Sequence, residues 1–154
     1  MIFVTVGTTM PFDSLIRHVD QLVETGALTE PVICQIGRGT YQPRHCEYFH
    51  FRPSLEDLFA QADLVITHGG ATVIGLLAGR KRFVAVPNDL ANDKHQLHFL
   101  ERLAKQTPLY WTADLSQLRA LVTVARTTAL NFDQMPSLAD DLREYLRQNV
   151  KVRK

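Results

Sequence analysis

The chain lacks several of the features that would place it quickly. Only two cysteines occur in 154 residues, Cys34 and Cys46, and they have neither the paired spacing of a zinc site nor the density of a disulfide framework. Both lie in or beside apolar runs, so two buried thiols in a reducing compartment are expected. No Gly-x-Gly-x-x-Gly follows a strand-like run, and no Gly-x-x-x-x-Gly-Lys-Ser/Thr occurs, which removes the dinucleotide fingerprint and the P-loop. No serine sits in Gly-x-Ser-x-Gly; Ser14, Ser54, Ser116 and Ser137 read as helix or cap serines, against serine-hydrolase chemistry. An excess of one charge is also missing. Lys and Arg number 17 against 16 Asp and Glu, a net +1 that gives no nucleic-acid footprint. No apolar stretch is long enough to cross a bilayer and no basic leader precedes the first strand, so a cytoplasmic protein is expected.

What is present is an ordinary globular composition, 45% hydrophobic, in a length that suits one domain. Apolar runs at Ile2–Val6, Pro31–Ile36, Glu47–Phe51, Leu64–Thr67 and Phe83–Pro87 read as strands, with Leu109–Thr112 as a further, edge-like one. Helical spacing fills the gaps: 13–26, then Ser54–Ala62 with Ser54 as cap and Asp57 three residues on, then 71–79, 94–106, 118–125 and 137–148. Asp13 reads as another cap, and Asp114 or Ser116 as the cap before Leu118. Strands alternating with helices predict an α/β fold, a Rossmann-like parallel sheet with helices on both faces. Residues 1–130 form that domain. Residues 131–154 make a C-terminal helix and a basic tail, with Arg143, Arg147, Lys151, Arg153 and Lys154, that packs on the domain or contacts a partner.

In such a sheet the ligand crevice lies beyond the carboxyl ends of the strands. Four loops emerge there: Gly7–Asp13, Gly37–Tyr41, His68–Thr72 and Asn88–Gln96. The third is the most informative. In Ile66–Thr67–His68–Gly69–Gly70–Ala71–Thr72 a buried strand turns through two glycines into a helix, which frees backbone N–H groups for a phosphate. His68 can donate to a phosphate oxygen there, and the Thr72 hydroxyl either adds a donor or caps the turn. Gly7, Thr8, Thr9 and Gly37 either touch a ligand or merely close turns. Asp93 reads as an N-cap or a ligand contact, His95 as a site or solvent residue, and the Gln96 amide suits a sugar's vicinal hydroxyls. His95 and His98 lie three apart without a third ligand, so no metal is expected.

The same loops carry a family resemblance. Phe3–Val4–Thr5–Val6–Gly7–Thr8–Thr9 with Phe12–Asp13–Ser14–Leu15–Ile16, then Ala62–Asp63–Leu64–Val65–Ile66–Thr67–His68–Gly69–Gly70, then Val86–Pro87–Asn88 and Asp93–Lys94–His95–Gln96–Leu97, resemble the Alg13-type glycosyltransferase subunits. These are similar to the C-terminal, nucleotide-sugar-binding half of a GT-B enzyme of the MurG type, in glycosyltransferase family 28. The resemblance implies the donor-binding subunit of a two-component inverting hexosyltransferase in exopolysaccharide or glycolipid synthesis. It implies a UDP-sugar as substrate, no separate cofactor, a lipid-linked acceptor and a membrane-anchored, Alg14-like partner that holds the chain at the inner face of the membrane. By that analogy His68, Gly69 and Gly70 meet the diphosphate, while Asn88, Asp93, His95 and Gln96 line the nucleotide-sugar pocket and the base comes from the partner. Gly75 stands where the family commonly has a ribose-binding glutamate, and Arg80–Lys81–Arg82 replaces its Gly-Lys-Pro. A non-catalytic enhancer subunit is the alternative reading, and a homodimer an alternative assembly.

Overall fold

The computed structural model describes residues 1–88 and 94–130. Asp93 and the expected C-terminal helix and tail lie outside them. Five strands form one parallel sheet: β1 (Ile2–Thr5), β2 (Val32–Gln35), β3 (Glu47–Phe49), β4 (Leu64–His68) and β5 (Phe83–Val86), in the order β3-β2-β1-β4-β5. The helices are α1 (Asp13–Glu24), α2 (Glu56–Gln61), α3 (Thr72–Ala78), α4 (His95–Gln106) and α5 (Leu118–Thr127).

Successive side chains on a strand point to opposite faces, so each continuously apolar strand feeds two cores. Ile2, Val4, Cys34, Leu64, Ile66 and Val84 face α1 and α5, which contribute Leu15, Ile16, Val19, Leu118 and Val122. Phe3, Val65, Phe83 and Ala85 face α2, α3 and α4, which contribute Leu58, Val73, Leu77 and Leu100. The chain leaves β1 toward the first face and β4 toward the second. These two strands are neighbours, with Thr5 beside Thr67, so the crevice opens where their connections diverge.

Four expectations change. Leu109–Thr112 is not a strand but a single bridge, Trp111 against Ala85, made by Ala85 N–H to the Tyr110 carbonyl (2.9 Å) and Thr112 N–H to the Ala85 carbonyl (3.1 Å). The Thr112 hydroxyl then accepts from Asp114 N–H at 2.9 Å and bends the chain away from the sheet. Asp114 goes on to cap a short 3₁₀ turn, Leu115–Gln117, that leads into α5. Helix α2 begins at Glu56 instead of Ser54, because the Ser54 hydroxyl accepts from Glu56 N–H (3.2 Å) just ahead of the first turn. Asp13 is inside α1 and caps nothing: its carboxylate accepts from the N–H (3.0 Å) and hydroxyl (2.8 Å) of Thr40, tying α1 to the loop after β2. Cys34 is buried but Cys46 is only half-buried. Hydrogen bonding to Cys46, together with burial, holds the Cys34 thiol well above its ordinary pKa.

Candidate functional site

His68 is the last residue of β4 and its ring lies between two glycines. A Cβ on Gly7 would come within 2.8 Å of His68 Cε1, and one on Gly70 would overlap His68 Nε2. Gly7 also has φ +76°, a conformation that side chains disfavour. Both positions are therefore glycine because the imidazole fills the space. Burial lowers the His68 pKa, the nearby Thr5 carbonyl partly opposing it, and Nδ1 is buried with no hydrogen-bond partner among the described residues. The result is a neutral ring fixed at the sheet's edge.

The turn after His68 distributes its amides unequally. Gly70 N–H donates to the His68 carbonyl at 2.8 Å, and Val73 and Ile74 N–H donate to the Gly70 and Ala71 carbonyls at 3.1 Å. The N–H groups of Ala71 and Thr72 donate to nothing among the described residues. The amides left without a partner are thus one and two residues beyond the glycine pair. Ala71 is the N-cap of α3 and has no capping side chain, and the half-buried Thr72 side chain makes no capping bond. Gly69 serves packing: a Cβ there would press on Leu100 Cδ1 (3.0 Å) and Gln96 (3.2 Å), so its absence lets α4 approach.

The other loops close around this centre. Gly37, with φ +55°, abuts Gly7 so tightly that a Cβ would overlap the Gly7 carbonyl oxygen, and its own carbonyl meets His50 Nδ1 at 2.8 Å. Thr8 and Thr9 are exposed at the rim, with the Thr8 carbonyl accepting from Arg38 Nε at 3.2 Å. Asn88 and Gln96 are buried and hold loops together. Asn88 N–H donates to Gln96 Oε1 (3.0 Å), and Asn88 Nδ2 donates to the Pro11 carbonyl (2.9 Å). His95 is exposed at the start of α4.

Beside His68 a groove of about 780 Å³ runs between α2 and α3 over the sheet, a volume within the range of small-molecule sites. Leu55, Phe59 and Leu76 make apolar walls, Gly7 and Thr8 form the rim, and Thr72 and Gly75 face it from α3. Its floor is Thr5 and Gln35, the last residues of β1 and β2, joined by Thr5 Oγ1 donating to Gln35 Oε1 at 2.6 Å. Sequence reading missed Gln35, Glu56 and the aromatic wall. The available signal was a polar residue closing each of two apolar strands. Among the described residues no group of three His, Cys, Asp or Glu side chains could hold a metal, and no helix is long and apolar enough to cross a membrane.

The glycosyltransferase family 28 C-terminal domain matches residues 1–138. The chain belongs to that family. It is 36% identical over 122 residues to the UDP-N-acetylglucosamine transferase subunit ALG13 of Homo sapiens and 34% identical to that of Mus musculus, with 71% of this chain covered in each case. It spans about a tenth of the length of these relatives, 11% and 10%. In fold, this family member is similar to an ALG13 solution structure (TM-score 0.59, 19% identity, 97% of this chain and 96% of that one). It is also similar to Acinetobacter baumannii MurG (TM-score 0.58, 19% identity), where 95% of this chain overlies 49% of the other. The sheet is thus the Rossmann-like fold of a GT-B C-terminal half.

Proposed function

We propose that this chain is the donor-binding subunit of a two-component inverting glycosyltransferase that takes a UDP-sugar and serves a lipid-linked acceptor. The observation that carries the reading is the pair of amides at Ala71 and Thr72 without partners among the described residues, set next to the half-buried His68, with Thr72 and Gly7 lining a groove of about 780 Å³. Amides fixed in advance stabilise developing negative charge without reorganising. The curated relatives are named as UDP-N-acetylglucosamine transferase subunits, which supports UDP as the nucleotide.

In this reading the diphosphate lies against Ala71, Thr72 and His68. An acceptor hydroxyl attacks the anomeric carbon from the opposite side as its bond to the UDP oxygen breaks, inverting that centre. The proton of the hydroxyl goes to a base supplied by a membrane-anchored, Alg14-like partner, which also holds the acceptor at the cytoplasmic face. The charge left on UDP is met by the two amides and by the one N–H that a neutral His68 donates. Neither a metal nor a cofactor is assigned a part.

The test is calorimetric titration of UDP into the isolated chain and into its complex with the partner, with sugar transfer measured on the complex. UDP binding that is abolished by Gly70→Asp, together with transfer by the complex, is the expected result. Gly75 favours a second reading, since α3 presents no side chain to the groove there. An enhancer that has lost donor binding would leave UDP unbound in both states.

A further inference from the structure

The sheet has a second edge, where the strands begin, and a cavity of about 580 Å³ opens on it beside the starts of β4 and β5 and the end of α5. Arg80, Lys81 and Arg82 line this cavity in succession, and Asp63 is the one carboxylate among its lining residues. Asp63 accepts from the Met1 ammonium, and that bond, with Arg82 and Lys81 adding to it, keeps the carboxyl below its ordinary pKa. The charge left over is positive. The backbone here is held firmly: Val65 N–H donates to the Arg82 carbonyl at 3.0 Å, and Lys81 Nζ donates to the Ala60 carbonyl at 3.2 Å. Across the cavity, Tyr110 Oη donates to the Thr128 carbonyl at 3.2 Å.

The way α3 ends is a second, independent observation. Arg80 N–H donates to the Leu77 carbonyl at 3.0 Å and Lys81 N–H to the Leu76 carbonyl at 2.9 Å, the pair of bonds that closes a helix through a left-handed residue. Glycine is the residue that takes this conformation without strain. Here it is Arg80 that has φ +51°, while Gly79, one place earlier, sits at φ −80° where any residue fits. Strain of this kind persists where the surrounding structure imposes it and a side chain is used. The exposed Arg80 guanidinium stands at the cavity that Lys81 and Arg82 also line.

We propose that Arg80, Lys81 and Arg82 form a second anion site, on the sheet edge opposite His68, that takes a phosphate-bearing ligand. A guanidinium can grip two phosphate oxygens at once, and two of them flanking an ammonium suit a group with several oxygens. The cavity exceeds one phosphate in size, with Ala129 and Leu130 as apolar wall for the rest of the molecule. A small phosphorylated molecule and a phospholipid headgroup share this chemistry. The site is independent of the donor reading above.

The test titrates inorganic pyrophosphate into the isotope-labelled full chain at low ionic strength, with backbone amide shifts as readout. Co-sedimentation with mixed phosphatidylglycerol and phosphatidylcholine vesicles runs beside it. Lys81 also borders the α2–α3 groove and Arg80 and Arg82 do not, so the variants are Arg80→Gly, Arg82→Gln and the two combined. An anion at the His68–Thr72 turn moves amides 69–73; the expected result is a separate, saturable set of shifts at 61–63 and 80–83. Affinity for that set should fall on the order of tenfold or more in the double variant, and by less in each single one. Arg80→Gly should unfold no earlier than the wild type, because glycine relieves the left-handed backbone, so its weaker binding is not a loss of fold. Vesicle binding lost in the double variant identifies a lipid headgroup as the source, and saturable pyrophosphate binding without vesicle binding identifies a free phosphate ligand. Shifts confined to 69–73, or binding of pyrophosphate and vesicles that all three variants leave unchanged, overturn the proposal.

Discussion

The His68 imidazole is held neutral because burial disfavours its charged form, with the Thr5 carbonyl working weakly the other way. The folded ring therefore has a pKa below the ordinary 6.5 that the unfolded chain regains. Above that value the two states bind the same number of protons here, and the folded form keeps its full stability. As pH falls through it, the unfolded chain takes up a proton that the folded ring resists, so stability declines. Urea unfolding at about pH 7.5 and about pH 5.5 should show a steeper loss for the wild type than for His68→Gln, the variant cancelling the contribution of the other histidines. Equal losses would contradict a buried neutral ring. At this scale the strand-to-helix turn at His68–Gly70 was legible, since an apolar run that ends in two glycines marks where the chain must turn. The amides that remain unpaired were not, because the bond from Gly70 N–H to the His68 carbonyl is a property of the folded turn. Asn88 and Gln96, pocket residues by the family resemblance, also clasp two loops together, a pairing that the fold alone supplies.

At the level of elements, α1 anchors the loops on its side of the sheet through two carboxylates. Asp20 is 2% exposed and accepts from Tyr41 Oη (2.7 Å), Arg44 N–H (3.0 Å) and His45 N–H (2.7 Å), while Asp13 holds Thr40. Burial pushes the Asp20 pKa up, but the bonds from Arg44, Tyr41 and His45 outweigh it and leave the carboxyl below its ordinary value. Replacing Asp20 by Asn keeps the shape but sets an amide group against backbone donors, at a cost of ~1.5–3 kcal/mol. Chemical denaturation measures that loss. The deficit should be present at neutral pH and shrink as pH drops through the depressed carboxyl pKa, where the wild type itself becomes protonated. The strands β1, β2, β4 and β5 were readable because both faces are buried and the runs are continuously apolar. Leu109–Thr112 carries the same β-forming residues yet pairs once, because the turn from Thr112 to Asp114 diverts the chain after one bridge. Local propensity registers the residues and is blind to that competing turn.

For the molecule as a whole, one sheet with helices on both faces places its ligand-facing loops on one edge, and a nucleotide bound there stabilises only the folded state. UDP at about a hundred times its dissociation constant should raise the unfolding free energy by about 2.7 kcal/mol, read as an upward shift of the thermal midpoint. Gly70→Asp should reduce that shift at the same UDP concentration, whereas an exposed change remote from the groove, such as Arg119→Gln, should leave it intact. The parallel sheet was implied by strand–helix alternation, while its strand order, the divergence point between β1 and β4, and the groove's polar floor needed pairings across strands. One feature of the rim reaches further. A Cβ on Gly37 would strike the Gly7 carbonyl oxygen, and a Cβ on Gly7 or on Gly70 would strike the His68 imidazole, so these positions stand in single file from β2 to α3. Added bulk at the first of these is handed down the row to the last. Position 37 would thus be intolerant to substitution in a saturation screen for altered donor choice, even though the His68–Gly70 turn follows a strand two places away in the sheet.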